Sequence, residues 1–296
     1  AGINWKNADT HRLIQWGGFG LNILSKFLRR EENFLSKLSN PVVLKAFQFG
    51  MGQVANQFIL GTTIEKAIER AKPSQLQRYS YDMLGEGALT WEMAKAYKAA
   101  YLHAIERLKY AQNLEAQSIS VKLSALHPKY LLTHATDVLK EMVPTLIEIT
   151  EAAKNAGIAL TIDAEEVGRL ELSLEIMDRV MQSSSLKNWD GFGLAVQAYQ
   201  KRLLPTLDWL HEKAQAHDMP LNVRLVKGAY WDTEIKLDQV AGLQDYALFT
   251  KKSATDISYL RGAQRLFEAK DYLRPQFATH NAFTISSIIS MVGARS

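Results

Sequence analysis

Charged and aromatic residues interrupt or follow a short apolar run at residues 223–226, where they could bind a flat, anionic ligand. These residues are Arg224, Lys227, Gly228, Tyr230 and Trp231. A buried strand carries cations only where they are ion-paired or lie at the opening of a cavity, because an isolated charge in an apolar interior costs several kcal/mol. Gly228 permits a sharp turn or a close backbone approach. For this stretch alone, a strand whose charges simply reach solvent remains the alternative interpretation.

The same arrangement recurs along the chain. Each short apolar run ends in a polar group and is followed by a segment of helical periodicity. We predict such runs at residues 58–61, 79–84, 119–123, 159–163, 193–197, 223–226 and 277–279. Alternating strands and helices are typical of a parallel sheet with crossover helices, so the predicted class is α/β. Seven units favour a (β/α)8 barrel of the TIM type, in which the chemistry lies at the carboxyl ends of the strands. The polar residues expected at that edge are Asp82, Lys122, Asp163, Gln197, Arg224 and His280.

The two ends of the chain depart from this pattern. We predict a helical arm over residues 1–50, with a docking or scaffold role as the alternative to packing on its own domain. Residues 51–296 are predicted to form the barrel, which we expect to be C-terminally incomplete and to lack its last strand and helix in this chain. The long connection between about 231 and 253 predicts a lid or a ligand wall.

The composition is that of an ordinary soluble globular protein, and it excludes several functions. The formal net charge of +4 is scattered, and no basic block indicates nucleic acid. Cysteine is absent, which excludes disulfides and thiolate-bound metals, and we expect no metal site. No Gly-x-Gly-x-x-Gly motif or P-loop is present, so a Rossmann nucleotide site is not predicted. His127 and His134 are predicted to be surface residues without partners.

Seven segments of the chain match the pattern of a known family. They are Phe58–Ala67, Ser80–Gly87, Ser120–Pro128, Ile162–Glu166 with Arg169–Glu171, Ala195–Arg202, Arg224–Lys236 and Pro275–Ala282. In these segments the chain resembles the proline dehydrogenase domain of the bifunctional proline-utilisation flavoenzymes, from about residue 40 to near the end. The resemblance implies a barrel that holds FAD without a Rossmann domain and oxidises L-proline to Δ1-pyrroline-5-carboxylate by hydride transfer to the flavin. Electrons would then pass to a membrane quinone.

By the same resemblance we expect a cytoplasmic protein. Peripheral contact with the inner membrane and an aldehyde dehydrogenase module fused beyond this chain are both left open. One departure is clear, because the arginine pair with which the family clamps the proline carboxylate has no counterpart in this chain.

The resemblance also implies roles for individual residues. Asp163 and Arg224 are the implied catalytic residues, beside the substrate and the reactive edge of the flavin. Lys122 is implied to contact the substrate carboxylate, Tyr230 to line the substrate pocket, and Glu86 to gate its entrance. The implied cofactor-binding residues, in addition to Arg224, are Gln197, Val226, Gly228, Trp231, Thr250, Lys252, Thr279, His280 and Asn281.

An enzyme of a different class is the alternative hypothesis. A Schiff-base lyase or aldolase barrel would use Lys122 or Lys227, because both stand at strand ends and a desolvated lysine can attack a carbonyl carbon.

Overall fold

The computed structural model describes residues 59–71, 78–85, 87–111 and 117–293. The chain divides into two compact units, Ala1–Ala71 and Lys72–Ser296. The predicted helical arm, its boundary at residue 50, and Glu86 lie outside the described residues.

The described part of the first unit contains one helix, α1, at Ile64–Arg70. Thr63 is its N-cap, and the Thr63 hydroxyl accepts a hydrogen bond from the Lys66 N–H at 3.4 Å. The strand predicted at 58–61 is not formed by its described residues, 59–61. The Arg70 guanidinium donates to the carbonyls of Ile59 and Leu60 at 3.3 and 3.5 Å, so a side chain takes the place of a neighbouring strand.

The described residues of the second unit contain six parallel strands that pair in chain order. They are β1 (Tyr79–Asp82), β2 (Gln117–Val121), β3 (Ala159–Ile162), β4 (Phe192–Gln197), β5 (Leu221–Val226) and β6 (Leu273–Phe277). Among the described strands, β1 and β6 have one neighbour each, so this sheet is open. The parallel α/β architecture confirms the predicted fold class.

Seven described helices of the second unit cover the outer face of the sheet; all but the last connect successive strands, and the last follows β6. They are α2 (Trp91–Leu108), α3 (Ala135–Ala156), α4 (Leu170–Met181), α5 (Leu203–Ala216), α6 (Trp231–Val240), α7 (Lys252–Glu268) and α8 (Ala282–Gly293). The connection predicted to be a lid therefore begins with a helix, α6, whose first turn carries Asp232 and Glu234, as the helix dipole favours. Within the described ranges, every helix is too short or too polar to cross a bilayer.

The two faces of the sheet differ in polarity. Leu221, Val223 and Leu225 of β5 are fully buried, and Leu225 lies under α7, where the Tyr259 hydroxyl donates to its carbonyl at 3.1 Å. Because strand side chains alternate, Arg224 points to the opposite face. Barrel interiors are usually filled by branched apolar side chains, whereas this inner face holds ionic and hydroxyl groups.

Candidate active site

Four ionic side chains form a continuous network at the carboxyl ends of the strands. The Lys122 ammonium lies 2.6 Å from Asp82 Oδ1 and 3.2 Å from Asp163 Oδ2. The Arg224 guanidinium Nη1 lies 3.1 Å from Asp163 Oδ1. The sequence-predicted catalytic pair, Asp163 and Arg224, is thus in direct contact, and Lys122 joins it. Two carboxylates and two cations alternate, so the largely buried charges of Lys122, Asp163 and Arg224 each have a partner of opposite sign.

The strands set the positions of these groups. Asp82 ends β1, while Lys122 and Asp163 are the residues directly after β2 and β3. The Asp163 N–H donates to the Val121 carbonyl at 2.9 Å, which extends the ladder by one residue. The Lys122 N–H donates to the hydroxyl of Tyr101, a fully buried residue of α2, at 3.1 Å. Lys122 is therefore held both at its backbone N–H and at its ammonium group.

Two serines hold the Arg224 side chain where it crosses the inside of the sheet from β5 to β1. Arg224 Nη1 donates to Ser120 Oγ at 2.9 Å, and Nη2 donates to Ser80 Oγ at 2.7 Å. The two serine oxygens are 3.2 Å apart. Neither serine was predicted as a site residue, although each stands two residues before a predicted ionic group, Asp82 or Lys122, and therefore on the same strand face.

Burial and ion pairing shift the protonation equilibria of this network. Burial alone would lower the pKa of Lys122, but hydrogen bonds and attraction from Asp82 and Asp163 raise it above its ordinary value. Burial raises the pKa of Asp163 against the lowering effect of Lys122 and Arg224, and Asp82 adds to the rise. Burial raises the pKa of Tyr101 to about 12, so its hydroxyl stays neutral. The network at neutral pH thus has a fixed cation at Lys122.

Gln197 connects the loops that follow β3 and β5. Its Nε2 donates to the Glu165 carbonyl at 2.8 Å, and its Oε1 accepts from the Ala229 N–H at 3.3 Å. The Glu165 carboxylate in turn accepts from the Ser124 N–H at 3.0 Å and pairs with Arg169 at 3.1 Å. The structure therefore places Gln197 in the loop scaffold beside the ionic network.

The predicted cofactor residues of the β5–α7 region lie close to one another. Val226 ends β5, and Gly228 has a φ of +140°, a conformation that favours glycine. Tyr230 is the half-buried N-cap residue of α6. The indole N–H of Trp231, which is 39% exposed, donates to the Phe249 carbonyl at 2.9 Å.

Lys252 and Lys227 converge on one carboxylate in the same region. Lys252 lies 2.6 Å from Asp256 Oδ2, and Lys227 pairs with Oδ1 of that residue. Thr250 is exposed two residues before Lys252. Thr250 in the loop before α7 and Lys252 at the start of α7 therefore follow Phe249, whose carbonyl accepts from the Trp231 indole.

The turn after β6 supplies the last predicted group. Thr279 Oγ1 accepts from the Asn281 N–H at 3.1 Å, and Asn281 Oδ1 accepts from the Thr284 N–H at 3.0 Å. Asn281 therefore caps α8, and His280 is exposed between them. The Ala278 N–H donates to the Leu225 carbonyl at 3.0 Å, which places this turn beside the end of β5.

The prediction for His127 was wrong. His127 is buried, packs edge-on against Trp91 and lies 3.1 Å from Glu141 through Nε2. Its Nδ1 accepts from the Lys129 N–H at 3.0 Å. His134 also has a partner, the Thr133 hydroxyl at 3.1 Å. The tight turn after β2 buries the imidazole ring of His127. The periodicity of apolar residues predicts helices and strands, and it does not predict a turn of this kind.

The geometry does not favour the Schiff-base alternative. An amine nucleophile needs a lowered pKa, whereas the pKa of Lys122 is raised by its two carboxylate partners. Lys227 is ion-paired with Asp256. Neither lysine is the desolvated, unpaired amine that the hypothesis requires.

Comparison with known proteins gives consistent matches over most of the chain. A family model described as "Proline dehydrogenase" matches residues 64–296. The chain is 41% identical over 276 residues to the "Bifunctional protein PutA" of Salmonella typhimurium, which covers 91% of this chain and 21% of that protein. The chain thus spans about a fifth of the length of this relative.

Solved structures agree with the sequence matches. A variant of Bradyrhizobium japonicum proline utilization A is 47% identical, with a TM-score of 0.77, and covers 88% of this chain and 27% of that one. Proline utilization A from Bdellovibrio bacteriovorus, in a form inactivated by N-propargylglycine, is 25% identical with a TM-score of 0.80. That match covers 86% of this chain and 28% of the Bdellovibrio chain.

Proposed function

Because the chain belongs to the proline dehydrogenase family, we propose that it catalyses the FAD-dependent oxidation of L-proline to Δ1-pyrroline-5-carboxylate. The observation that carries the proposal is the network of Asp82, Lys122 and Asp163, at the carboxyl ends of three parallel strands, with Arg224, which reaches it from within β5. A barrel that is only structural has no need of ionic groups on its inner face.

The donor groups at this edge suit a flavin dinucleotide. Arg224 is a permanent cation of the kind that favours negative charge on a flavin ring. The first N–H groups of α8, after Asn281, and the Lys252 ammonium suit the pyrophosphate of such a cofactor. The exposed ring of Trp231 offers a flat surface for stacking. FAD, when bound, supplies the hydride acceptor for the oxidation.

Each residue of the network has a proposed task in orienting the substrate. Lys122, kept cationic by its carboxylate partners, attracts the proline carboxylate, and Tyr230 packs against the ring of the substrate. Asp163 holds both Lys122 and Arg224 in place, because each of its oxygens contacts one of them. This arrangement fixes the reacting carbon relative to the cofactor, which is the main contribution a protein makes to such a reaction.

The remaining cofactor contacts are proposed for Gln197, Val226, Gly228, Thr250, Thr279 and His280. Glu86, outside the described residues, is proposed as a gate at the entrance. We further propose that electrons pass to a membrane quinone and that the protein is cytoplasmic, with peripheral contact at the inner membrane. A fused aldehyde dehydrogenase module beyond this chain is proposed because the chain matches about a fifth of its PutA relative.

The direct test is the absorbance spectrum of the purified full chain after incubation with FAD and removal of the excess. We expect a yellow protein whose flavin absorbance falls when L-proline is added without oxygen. Incubation with N-propargylglycine, the inactivator of the Bdellovibrio relative, should then abolish this response. A chain that remains colourless in FAD would refute the proposal.

A pair of arginine variants tests the assignment of Arg224. Arg224→Met should slow flavin reduction, because the cation in the network is lost. Arg274→Met is the matched control, since Arg274 lies on the neighbouring strand β6 and pairs with Asp190. Equal rates in the two variants would remove Arg224 from the mechanism.

A further inference from the structure

One buried acid outside the ionic network, Glu234, has no cationic partner among the described residues. It is 3% exposed on α6, and no Lys, Arg or His of the described ranges forms an ion pair with it. Burial raises the pKa of Glu234, and the negative charges of Glu166 and Asp238 raise it further. An isolated buried carboxylate destabilises a fold unless its hydrogen bonds are complete, so its presence indicates a specific role.

Two donors from different loops complete the hydrogen bonds of this carboxylate. The Tyr199 hydroxyl donates to Glu234 Oε2 at 2.5 Å, and the Val167 N–H donates to Oε1. Tyr199 is 2% exposed, and burial together with Glu234 raises the pKa of its hydroxyl. The phenol therefore remains a donor at neutral pH. Tyr199 and Glu234 thus connect the loops after β3 and β4 to α6.

Tyr199 also touches the turn between β5 and α6 through its backbone and its ring. Its N–H donates to the Lys227 carbonyl at 2.8 Å. Its ring lies so close to Gly228 that a Cβ there would stand 2.5 Å from a ring carbon. The Tyr199 carbonyl accepts from the Phe249 N–H at 2.8 Å, and the Phe249 carbonyl in turn accepts from the Trp231 indole.

We propose that Tyr199 and Glu234 are positioning residues that fix the turn 227–231 against the loops after β3 and β4; we refer to them as the Tyr199–Glu234 clamp. The Glu234 N–H donates to the Tyr230 carbonyl at 3.0 Å, so the first helical turn of α6 joins Glu234 directly to Tyr230. The inference rests on the proposed function, in which Tyr230 and Trp231 of this turn meet substrate and cofactor.

The test compares the full chain with two tyrosine variants by hydrogen exchange and by ligand binding. Tyr199→Phe removes one hydroxyl and keeps the ring against Gly228. Tyr246→Phe is the matched control, because Tyr246 packs on the same apolar cluster with no hydrogen bond from its hydroxyl to Glu234. We expect Tyr199→Phe to speed amide exchange across residues 228–236 about tenfold, with residues 117–121 of β2 unchanged.

In the same variant, the FAD dissociation constant and the KM for proline should each rise about tenfold, with kcat within about twofold of the parent. Glu234→Gln keeps one acceptor oxygen, so its amide exchange rates and its binding constants should lie between those of the parent and those of Glu234→Ala. The proposal would be overturned if Tyr199→Phe showed the same amide exchange as Tyr246→Phe, with an unchanged FAD dissociation constant and an unchanged KM for proline. A parent chain that binds no FAD would end the proposed function instead, while the exchange comparison would still decide whether the clamp holds the turn.

Discussion

The position of the Arg224 guanidinium should depend on the two serines that accept its hydrogen bonds. Ser120→Ala removes an acceptor at 2.9 Å that is 1% exposed, so water has little access to replace it. Ser80→Ala removes an acceptor at 2.7 Å that is exposed, so water can substitute for it. After either change Arg224 retains Asp163 as a partner at 3.1 Å.

The expected magnitude follows from the charge of the donor. A hydrogen bond to an ionised group contributes about 1.5–3 kcal/mol, and a neutral or water-replaceable bond about 0.5–1.5 kcal/mol. If the loss appears in the transition state, each 1.4 kcal/mol slows the reaction about tenfold. Ser120→Ala should therefore slow flavin reduction by proline by roughly 10- to 100-fold, and Ser80→Ala by less than about tenfold.

The assay is anaerobic stopped-flow measurement of flavin reduction by L-proline. Ser118→Ala is the control, because Ser118 lies on the same face of β2 and its hydroxyl donates to the Tyr79 carbonyl at 3.4 Å instead. The Arg224→Met background provides the sharper comparison, because Ser120→Ala should then have no further effect. Additive losses in that background, or equal rates for Ser120→Ala and Ser118→Ala, would refute the reasoning.

Two further predictions concern stability, measured by urea unfolding of the full chain. Burial lowers the pKa of His127, against the partial rise from Glu141, so its contribution is present above the ordinary histidine pKa of about 6.5 and is lost as the pH falls through the lowered value. His127→Gln should flatten the decline in unfolding free energy below about pH 6.5, and an unchanged decline would contradict the assignment. Gly228→Ala should lose about 1–3 kcal/mol, because φ is +140° and the added Cβ meets the Tyr199 ring. Gly242→Ala, at φ +68° with no neighbour within 4 Å, should lose about 1 kcal/mol, and equal losses at both glycines would show that the ring contact has no effect.

The predictions from sequence were most successful where a polar residue ended an apolar run. Lys122 and Asp163 follow short strands, and parallel strands bring their carboxyl ends to one edge. In the structure Lys122 contacts Asp163, and Asp163 contacts Arg224, which agrees with that reasoning. The run at 58–61 shows its limit, because an apolar segment forms a strand only when it pairs with a neighbouring strand. The carbonyls of Ile59 and Leu60 accept from the Arg70 guanidinium instead of from the N–H groups of a strand.

Residues whose role depends on distant partners were not found from the sequence. Ser120 becomes an arginine ligand only because β5 lies across the inner face from β2, and the two residues are 104 positions apart. By its position in α6, Glu234 resembles an ordinary exposed helix residue, and only the hydrogen bonds from Tyr199 and Val167 show that it is buried and bound. His127 was misassigned for the same reason, since its burial depends on a turn and on Glu141 of α3. Local periodicity carries no information about such pairings.

The chain-order pairing of the strands has a consequence for how the protein forms during synthesis. Each strand pairs with the one made just before it, so the sheet can grow one unit at a time as the ribosome releases the chain. With only β1 to β3 in place, Asp82 and Asp163 outnumber Lys122, and the partial sheet carries an excess of negative charge along its inner face. Arg224 neutralises that excess when β5 arrives, 144 residues after Ser80. The partial sheet of β1 to β3 should therefore be more stable at high salt than at low salt, because salt screens the repulsion between Asp82 and Asp163. In the complete sheet, Arg224 offsets that repulsion.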